Sequence, residues 1–468
     1  MTSTEEKHAP PTVLIVGAGL GGVMLGALLE KANIPYSIFE RASTVKPLGS
    51  ALSIGGNLLP AFEQLGVFDE FVAMSKQLSF SHLLKEKKES FELLSVQDFL
   101  RWGGLSGYSG YIVARPLVYS LLLKQIPTHK IHMNKRILTI DENKDGDNKV
   151  HIQAADGTTY QGDILVGADG AYSAVRQRLY ERLMAKGVLP KTDQEELPFS
   201  CTCLVGQTEP LDVEQFPQLK DPLAPYWANL GEDKPICFMV LHHLDRTTSM
   251  AAQEQRFRNS ENSEWGPFAA QSMCDETRGF PIPIGIDKKT LGDLYDRTPK
   301  ELISKVMLEE KIFTTWFAGR TVLLGDACHK LHPAGGQGAM TAMHDAMALA
   351  NLIYALPSNN VKDIHQMFTD YQAERLPFVT EAFNSSRTLA KGLEKGLGGM
   401  IALWISRFIP QWVWKIFWTK VAKMRPQVGF LPLIPVKGTV VPNVSASMER
   451  AQAAYEKRQG GVGTAAVV

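Results

Sequence analysis

The stretch "TVLIVGAGLGGVMLGALLEKANIPYSIFE", Thr12 to Glu40, constrains this chain more than any other. Thr12 to Val16 is a short apolar, β-branched run, which reads as a buried parallel strand. Gly17, Gly19 and Gly22 then fit the spacing Gly-x-Gly-x-x-Gly, and Val23, Ala27, Leu28 and Ala32 mark the helix that follows. "YSIFE" is the next strand and ends at Glu40. Gly17 permits a tight turn, Gly19 lacks the Cβ that would keep a pyrophosphate away, and Gly22 lets helix and strand pack closely. Free N–H groups at the helix start favour phosphate charge. Glu40 stands 18 residues after Gly22, where a carboxylate can accept ribose hydroxyls. A lone triplet would fit a glycine-rich packing turn equally well. Strand, triplet, helix, strand and acid in order point to a dinucleotide. Glu40 followed by Arg41 does not separate FAD from NAD.

With 468 residues and 44% hydrophobic content, the chain can bury two or three domains. Lys+Arg and Asp+Glu both number 49, so no general basic field invites nucleic acid. The five cysteines are odd in number and form no Cys-x-x-Cys pair, which fits reduced thiols and a cytoplasmic location. The start, "MTSTEEKHAPP", lacks the basic-then-apolar order of a signal peptide. No run of about 18 uncharged apolar residues predicts a spanning helix.

Two further motifs carry information. "DILVGADGAYSAVRQRLY" reads as strand, turn at Asp169–Gly170, and helix bearing Ser173, Val175 and Arg176. "GRTVLLGDACHKLHPAGGQGAMTAMHDAMALANLIYAL" brings Asp326 to the carboxyl end of a buried strand, where open α/β sheets bind ligands. A carboxylate there can accept from a polyol. Pro333, Gly335, Gly336 and Gly338 form a loop that lets a flat ring lie against backbone, and a long helix begins near Ala339.

The three motifs, in this order and spacing, resemble class A flavoprotein monooxygenases, the group of para-hydroxybenzoate hydroxylase and the fungal FAD-dependent epoxidases and hydroxylases. The resemblance covers about Thr12 to Thr380, including "PLGSALSIGGNLLPAFEQLGVFDEF" and "VARPLVYSLLL". It implies FAD as cofactor and NADPH or NADH as co-substrate. Gly17, Gly19 and Gly22 would bind the pyrophosphate; Glu40, with Arg41 beside it, the adenosine ribose; Arg115 the flavin-side phosphate or ribityl region. Asp169 would lie near the pyrophosphate and the NAD(P)H route, and Asp326 would bind the ribityl chain. His332, Pro333, Gly336, Gly338 and Ala339 would border the ring. Two positions depart from the family: Cys328 replaces an alanine, and Met340 stands where an asparagine is frequent.

A single dinucleotide fingerprint is found, so a second nucleotide domain is not expected. Fold and boundaries follow. The fold class is α/β, with a Rossmann-type FAD-binding domain (8–75, 111–180, 313–380) interleaved with a mostly antiparallel substrate domain (76–110, 181–312). A C-terminal amphipathic helical segment and tail (381–468) completes it. Tyr226, Phe238, Val240 and His242 lie on strand-like runs and could face substrate or form sheet core. Trp404, Trp412, Trp414 and Trp418 with Lys415, Lys420, Lys423 and Arg425 read as a basic amphipathic helix. Peripheral membrane contact through 397–425, closure over an apolar site, and simple packing all fit. His329 and His332 read as positional, and no metal is expected. No nucleophile elbow or Walker loop occurs.

The expected activity is monooxygenation by a flavin hydroperoxide: dioxygen supplies one oxygen atom to an aromatic or other electron-rich apolar small molecule. The alternatives are epoxidation of a terpenoid alkene in secondary metabolism, or a non-catalytic flavin-fold binding protein. No side chain is assigned as catalytic, because the flavin carries the chemistry.

Overall fold

The computed structural model of the chain describes residues 9–45, 51–87, 90–142, 146–230, 236–243, 246–254, 267–393 and 408–463. Pro47 to Ser50 and Trp404 lie outside the described residues, as do the side chains of Phe238, Val240 and His242.

A six-stranded sheet carries the glycine turn. Its order is Phe317–Ala318, Thr321–Leu323, Ile164–Gly167, Val13–Val16, Tyr36–Phe39, Ile131–His132, parallel except at the first pair. Val13–Val16 is buried throughout, as a strand covered on both faces requires. The helix Leu20–Lys31 (α1) buries every residue from Leu20 to Leu29, so its apolar character runs all round rather than along one stripe. It stops where Asn33 adopts φ +54, a left-handed conformation that asparagine tolerates, two residues before Pro35. Ala174–Ala185 (α2) packs on Ile164–Gly167, and Gly338–Tyr354 (α3) packs on α1. All share one core.

A nine-stranded sheet is built beside it. Its path runs Ser304–Glu309, Phe199–Gln207, Arg246–Glu254, Ile236–His243, Ala224–Leu230, Lys76–Lys87, Tyr111–Ala114, Ala51–Ile54, with Ser90–Asp98 paired to Lys76–Lys87. Every pair of neighbours is antiparallel except Ala224–Leu230 with Lys76–Lys87. Ala51–Ile54 and Tyr111–Ala114 come from stretches the sequence groups with the FAD-binding domain, so the two units share this sheet. One face, with Leu204 and Trp227, packs on a second core made with Met273, Cys274, Leu291 and Leu294. The alternate residues Cys203 and Val205 lie on the other face with Leu308. Register places Phe238 opposite Asn229 and Val240 opposite Trp227, whereas Tyr226 pairs with Leu241. Phe238 and Val240 therefore do not share a row parity with Tyr226.

Val361–Leu393 (α4) is one helix that runs through residue 380, with Pro377 inside it. Gln411–Lys423 (α5) and Ala446–Gly463 (α6) follow. Among the described residues no helix is long and apolar enough to cross a membrane.

Candidate cofactor and active site

Parallel register brings three distant pieces of chain to one edge. Val16 lies opposite Gly167, and Gly167 opposite Leu323. The chain leaves these strands at Gly17, Ala168–Asp169 and Leu324–Asp326.

The glycines of the first turn divide by what surrounds them. A Cβ on Gly17 would lie 2.4 Å from the Ala168 carbonyl oxygen, and Gly17 holds φ +107. A Cβ on Gly22 would lie 2.1 Å from the Gly17 carbonyl oxygen. Both glycines are therefore demanded by the protein's own packing. Gly19 is different: the nearest atom to its Cβ position is 4.0 Å away, and it caps α1 with extended backbone. Space beside Gly19, at a helix start, is what a phosphate group needs. Gly170, Gly336 and Gly338 also border open space.

The charged residues divide in the same manner. Glu40 accepts the Ala18 N–H at 3.0 Å and the Ala42 N–H at 2.9 Å, so its carboxylate fastens the glycine turn to its own strand end. Asp169 accepts from the Ser173 hydroxyl at 2.5 Å and from the Ala174 and Val175 N–H groups at 2.7 and 3.2 Å. The carboxylate thus caps α2, and the backbone of Asp169 lies against Gly17. Burial raises the Asp169 carboxyl above its ordinary range, against the hydrogen bonds that lower it. Asp326 and Arg115 have no hydrogen-bond or ion-pair partner for their side chains among the described residues. Arg115 opens the helix Arg115–Leu123, directly after Tyr111–Ala114. Arg41 is exposed.

The loop after Asp326 is held by groups that the motif reading passed over. Asp345 on α3 is fully buried and receives three donors. The Gly325 N–H lies at 3.0 Å, His329 Nε2 at 2.6 Å and Arg375 Nε, from α4, at 2.8 Å. Burial alone would raise this carboxyl; the His329 and Arg375 charges outweigh it and hold it well below the usual carboxylate range. Arg176 Nη1 donates to the Ala327 carbonyl at 2.8 Å and its guanidinium covers the Phe313 ring at 4.2 Å, joining the second motif to the third. His344 Nε2 donates to the Asn57 carbonyl at 2.9 Å, and burial lowers its pKa to about 4. The Asn57 amide in turn reaches the Met340 sulfur at 3.5 Å. His332 Nδ1 accepts the Ala334 N–H, capping the Pro333–Gly335 turn, and burial lowers its pKa.

A sequence signal for Asp345 exists. An aspartate inside the apolar run "MTAMHDAMALA" has no local partner and calls for a distant cation. Cys328, His329 and Asp345 also come within 4.8 Å of one another in ligand-atom distance. Arg375 already sits on that carboxylate, and burial pushes the Cys328 thiol up, away from the thiolate a metal would need.

The family described as "FAD binding domain" matches residues 11–193 and 289–386. The chain belongs to this family of FAD-dependent monooxygenases. The FAD-dependent monooxygenase paxM of Penicillium paxilli is 30% identical over 400 residues, 81% of this chain and 78% of that protein. The FAD-dependent monooxygenase atmM of Aspergillus flavus is 27% identical over 444 residues, covering 90% and 87%. Among solved structures, HpxO of Klebsiella pneumoniae, complexed with FAD and uric acid, superposes with TM-score 0.65 at 18% identity. The match covers 85% of this chain and 92% of that one. The 2,6-dihydroxypyridine-3-hydroxylase of Arthrobacter nicotinovorans gives 0.63 at 14% identity, covering 83% and 94%. These likenesses confirm the α/β flavoprotein fold. The relatives' enzyme name sets aside a non-catalytic binding protein. FAD is the cofactor, and the open cradle at Gly19 fits its phosphates.

Two predictions follow from the buried carboxylate and its neighbour. Asp345→Ala leaves Arg375 and His329 buried without their counter-charge, and is expected to cost about 3–5 kcal/mol in urea unfolding. For His344, the folded pKa of about 4 lies below the unfolded value. The unfolded chain therefore binds the extra proton, so stability falls as pH drops from about 6.5 to 4, by about 3 kcal/mol at most. His344→Gln should flatten that slope in thermal melts at stepped pH.

Proposed function

We propose that this monooxygenase inserts one atom of dioxygen into an uncharged, electron-rich apolar small molecule, an aromatic ring foremost, with NADPH or NADH as reductant. The supporting observation is the apolar character of one face of the nine-stranded sheet. Its other face is filled by helices Pro267–Thr277 and Leu291–Tyr295. One end of the sheet leads into Arg115, and the other is tied to the loop after Asp326 by Lys330, which donates to Glu309 at 3.2 Å. Tyr172 donates to the same carboxylate at 2.8 Å. The middle rows of the apolar face hold Ser81 beside Tyr226, and Cys203 and Val205 near Leu308, with no charge among them. None of these named residues offers a counter-ion to a charged substrate.

For the cofactor, we assign the phosphates to the space beside Gly19, with Gly17 and Gly22 shaping the turn. Asp326, a carboxylate without a partner among the described residues, is assigned to the ribityl hydroxyls, and Arg115 to the flavin-side phosphate. Glu40 keeps acceptor capacity for the ribose while it fastens the turn. His332, Pro333 and the Gly336–Ala339 backbone would border the ring. Bound FAD supplies the redox and oxygen-activating chemistry. The chain's own residues bind it, orient the substrate and keep water out. Asp345 does so indirectly, by fixing Gly325 and His329 on either side of Asp326.

The second reading within the same chemistry is epoxidation of a terpenoid alkene. It is favoured by the apolar C-terminal segment, which also supports peripheral membrane contact through residues 397–425 as the place where a lipophilic substrate is met.

Asp326→Ala should purify largely colourless, because the assigned ribityl contact is gone. A fully yellow variant with unchanged FAD affinity contradicts the assignment. Turnover under ¹⁸O₂ should put one labelled atom into the product, seen by mass spectrometry. A phenol identifies the leading reading and an epoxide the second; label appearing only in water removes both.

A further inference from the structure

We propose that the outward face of α5 docks on an anionic lipid surface; this rests on the membrane contact proposed for residues 397–425, and assigns the residues that make it. Trp412 and Ile416 are 65% and 62% exposed, one turn apart on a single stripe. Lys423 follows at seven residues from Ile416, on the same side, and Lys415 flanks it. Both lysines are exposed, with no ion pair among the described residues.

The inner side of the helix is engaged by protein. Trp418 meets Phe99 edge-on at 5.7 Å, and Ala422 is buried. On the outward stripe, one turn beyond Ile416, the exposed Lys420 reaches Glu381 of α4 at 2.6 Å. Arg425, expected on the basic face, is instead buried beyond the helix end, donating to the carbonyls of Ser106, Lys437 and Val440. The helix is thus clamped in an orientation that leaves Trp412 and Ile416 outside. Scattered exposed apolar residues need no explanation; a tryptophan and an isoleucine aligned on a clamped helix do.

Charge selects the occupant. From Lys395 to Met448 the sequence contains no Asp or Glu but seven cations, in a chain whose acids and bases balance at 49 each; Arg425 is buried and Lys420 and Lys437 are ion-paired, so Lys415 and Lys423 carry the charge on this face. An indole seated at the headgroup level, an aliphatic side chain below it and lysines reaching lipid phosphates is the chemistry of an interfacial helix. A second copy of the chain fits poorly. A two-fold contact through this face would bring two copies of the same cationic surface together, with no Asp or Glu between Lys395 and Met448 to offset it.

The test is flotation of the full-length, FAD-loaded protein with phosphatidylcholine vesicles, with and without phosphatidylserine. The wild type should float with the serine-containing vesicles. Trp412→Ala/Ile416→Ala should lower partitioning about tenfold, and Lys415→Glu/Lys423→Glu should remove the preference for anionic lipid. Both variants should keep their FAD content and far-ultraviolet circular dichroism. If the wild type floats with neither vesicle, the membrane contact itself is refuted. If the wild type floats and Trp412→Ala/Ile416→Ala floats equally, the contact stands but the assignment to this face is overturned. Sedimentation velocity showing a dimer that Trp412→Ala/Ile416→Ala abolishes, with no vesicle binding, would make a second copy the occupant and end the proposal.

Discussion

Parallel pairing sets the carboxyl ends of Val13–Val16, Ile164–Gly167 and Thr321–Leu323 side by side, and the rest of the molecule is arranged around that edge. Strands about 4.8 Å apart must release their chains into the same small volume. Each release is tight: Gly17 turns against Ala168, Asp169 folds back on α2, and Gly325 holds φ +60. With the local backbone committed in this way, the edge presents the open space beside Gly19 and, at Asp326, a carboxylate without a partner among the described residues.

The edge would not hold its shape without a buried charge cluster behind it. Asp345 draws Gly325, His329 and Arg375 onto one carboxylate and thereby ties α3, α4 and the ring-side loop together. Arg176 performs the matching task from the second motif, reaching the Ala327 carbonyl. Breaking either link leaves an uncompensated charge in the core, a larger loss than the bond itself. Loop precision is thus secured from positions that would not touch a ligand.

Much of the cofactor side was legible in the sequence. The glycine spacing, the apolar strand before it and the acid at the end of the next strand are local patterns, and a phosphate's demands on backbone are local too. The same spacing could not show that Glu40 and Asp169 bind backbone N–H groups while Asp326 does not. Nor did the strand-like runs from Phe199 to Glu254 reveal which alternate residues share each face of the sheet. That depends on helices Pro267–Thr277 and Leu291–Tyr295 filling one side, and on a bulge between Ala224 and Tyr226 that shifts the register.

The sequence by itself determined that this chain makes a nucleotide turn, to which strand it belongs, and, through three ordered motifs, which cofactor chemistry it serves. Those are consequences of side-chain size and periodicity over a few tens of residues. Only the tertiary structure decided which charges are engaged and which remain available, why Asp345 can exist inside an apolar helix, and that Arg425 turns inward while Trp412 turns out. Partnering and burial depend on residues as far as 319 positions away, and no local pattern carries that distance.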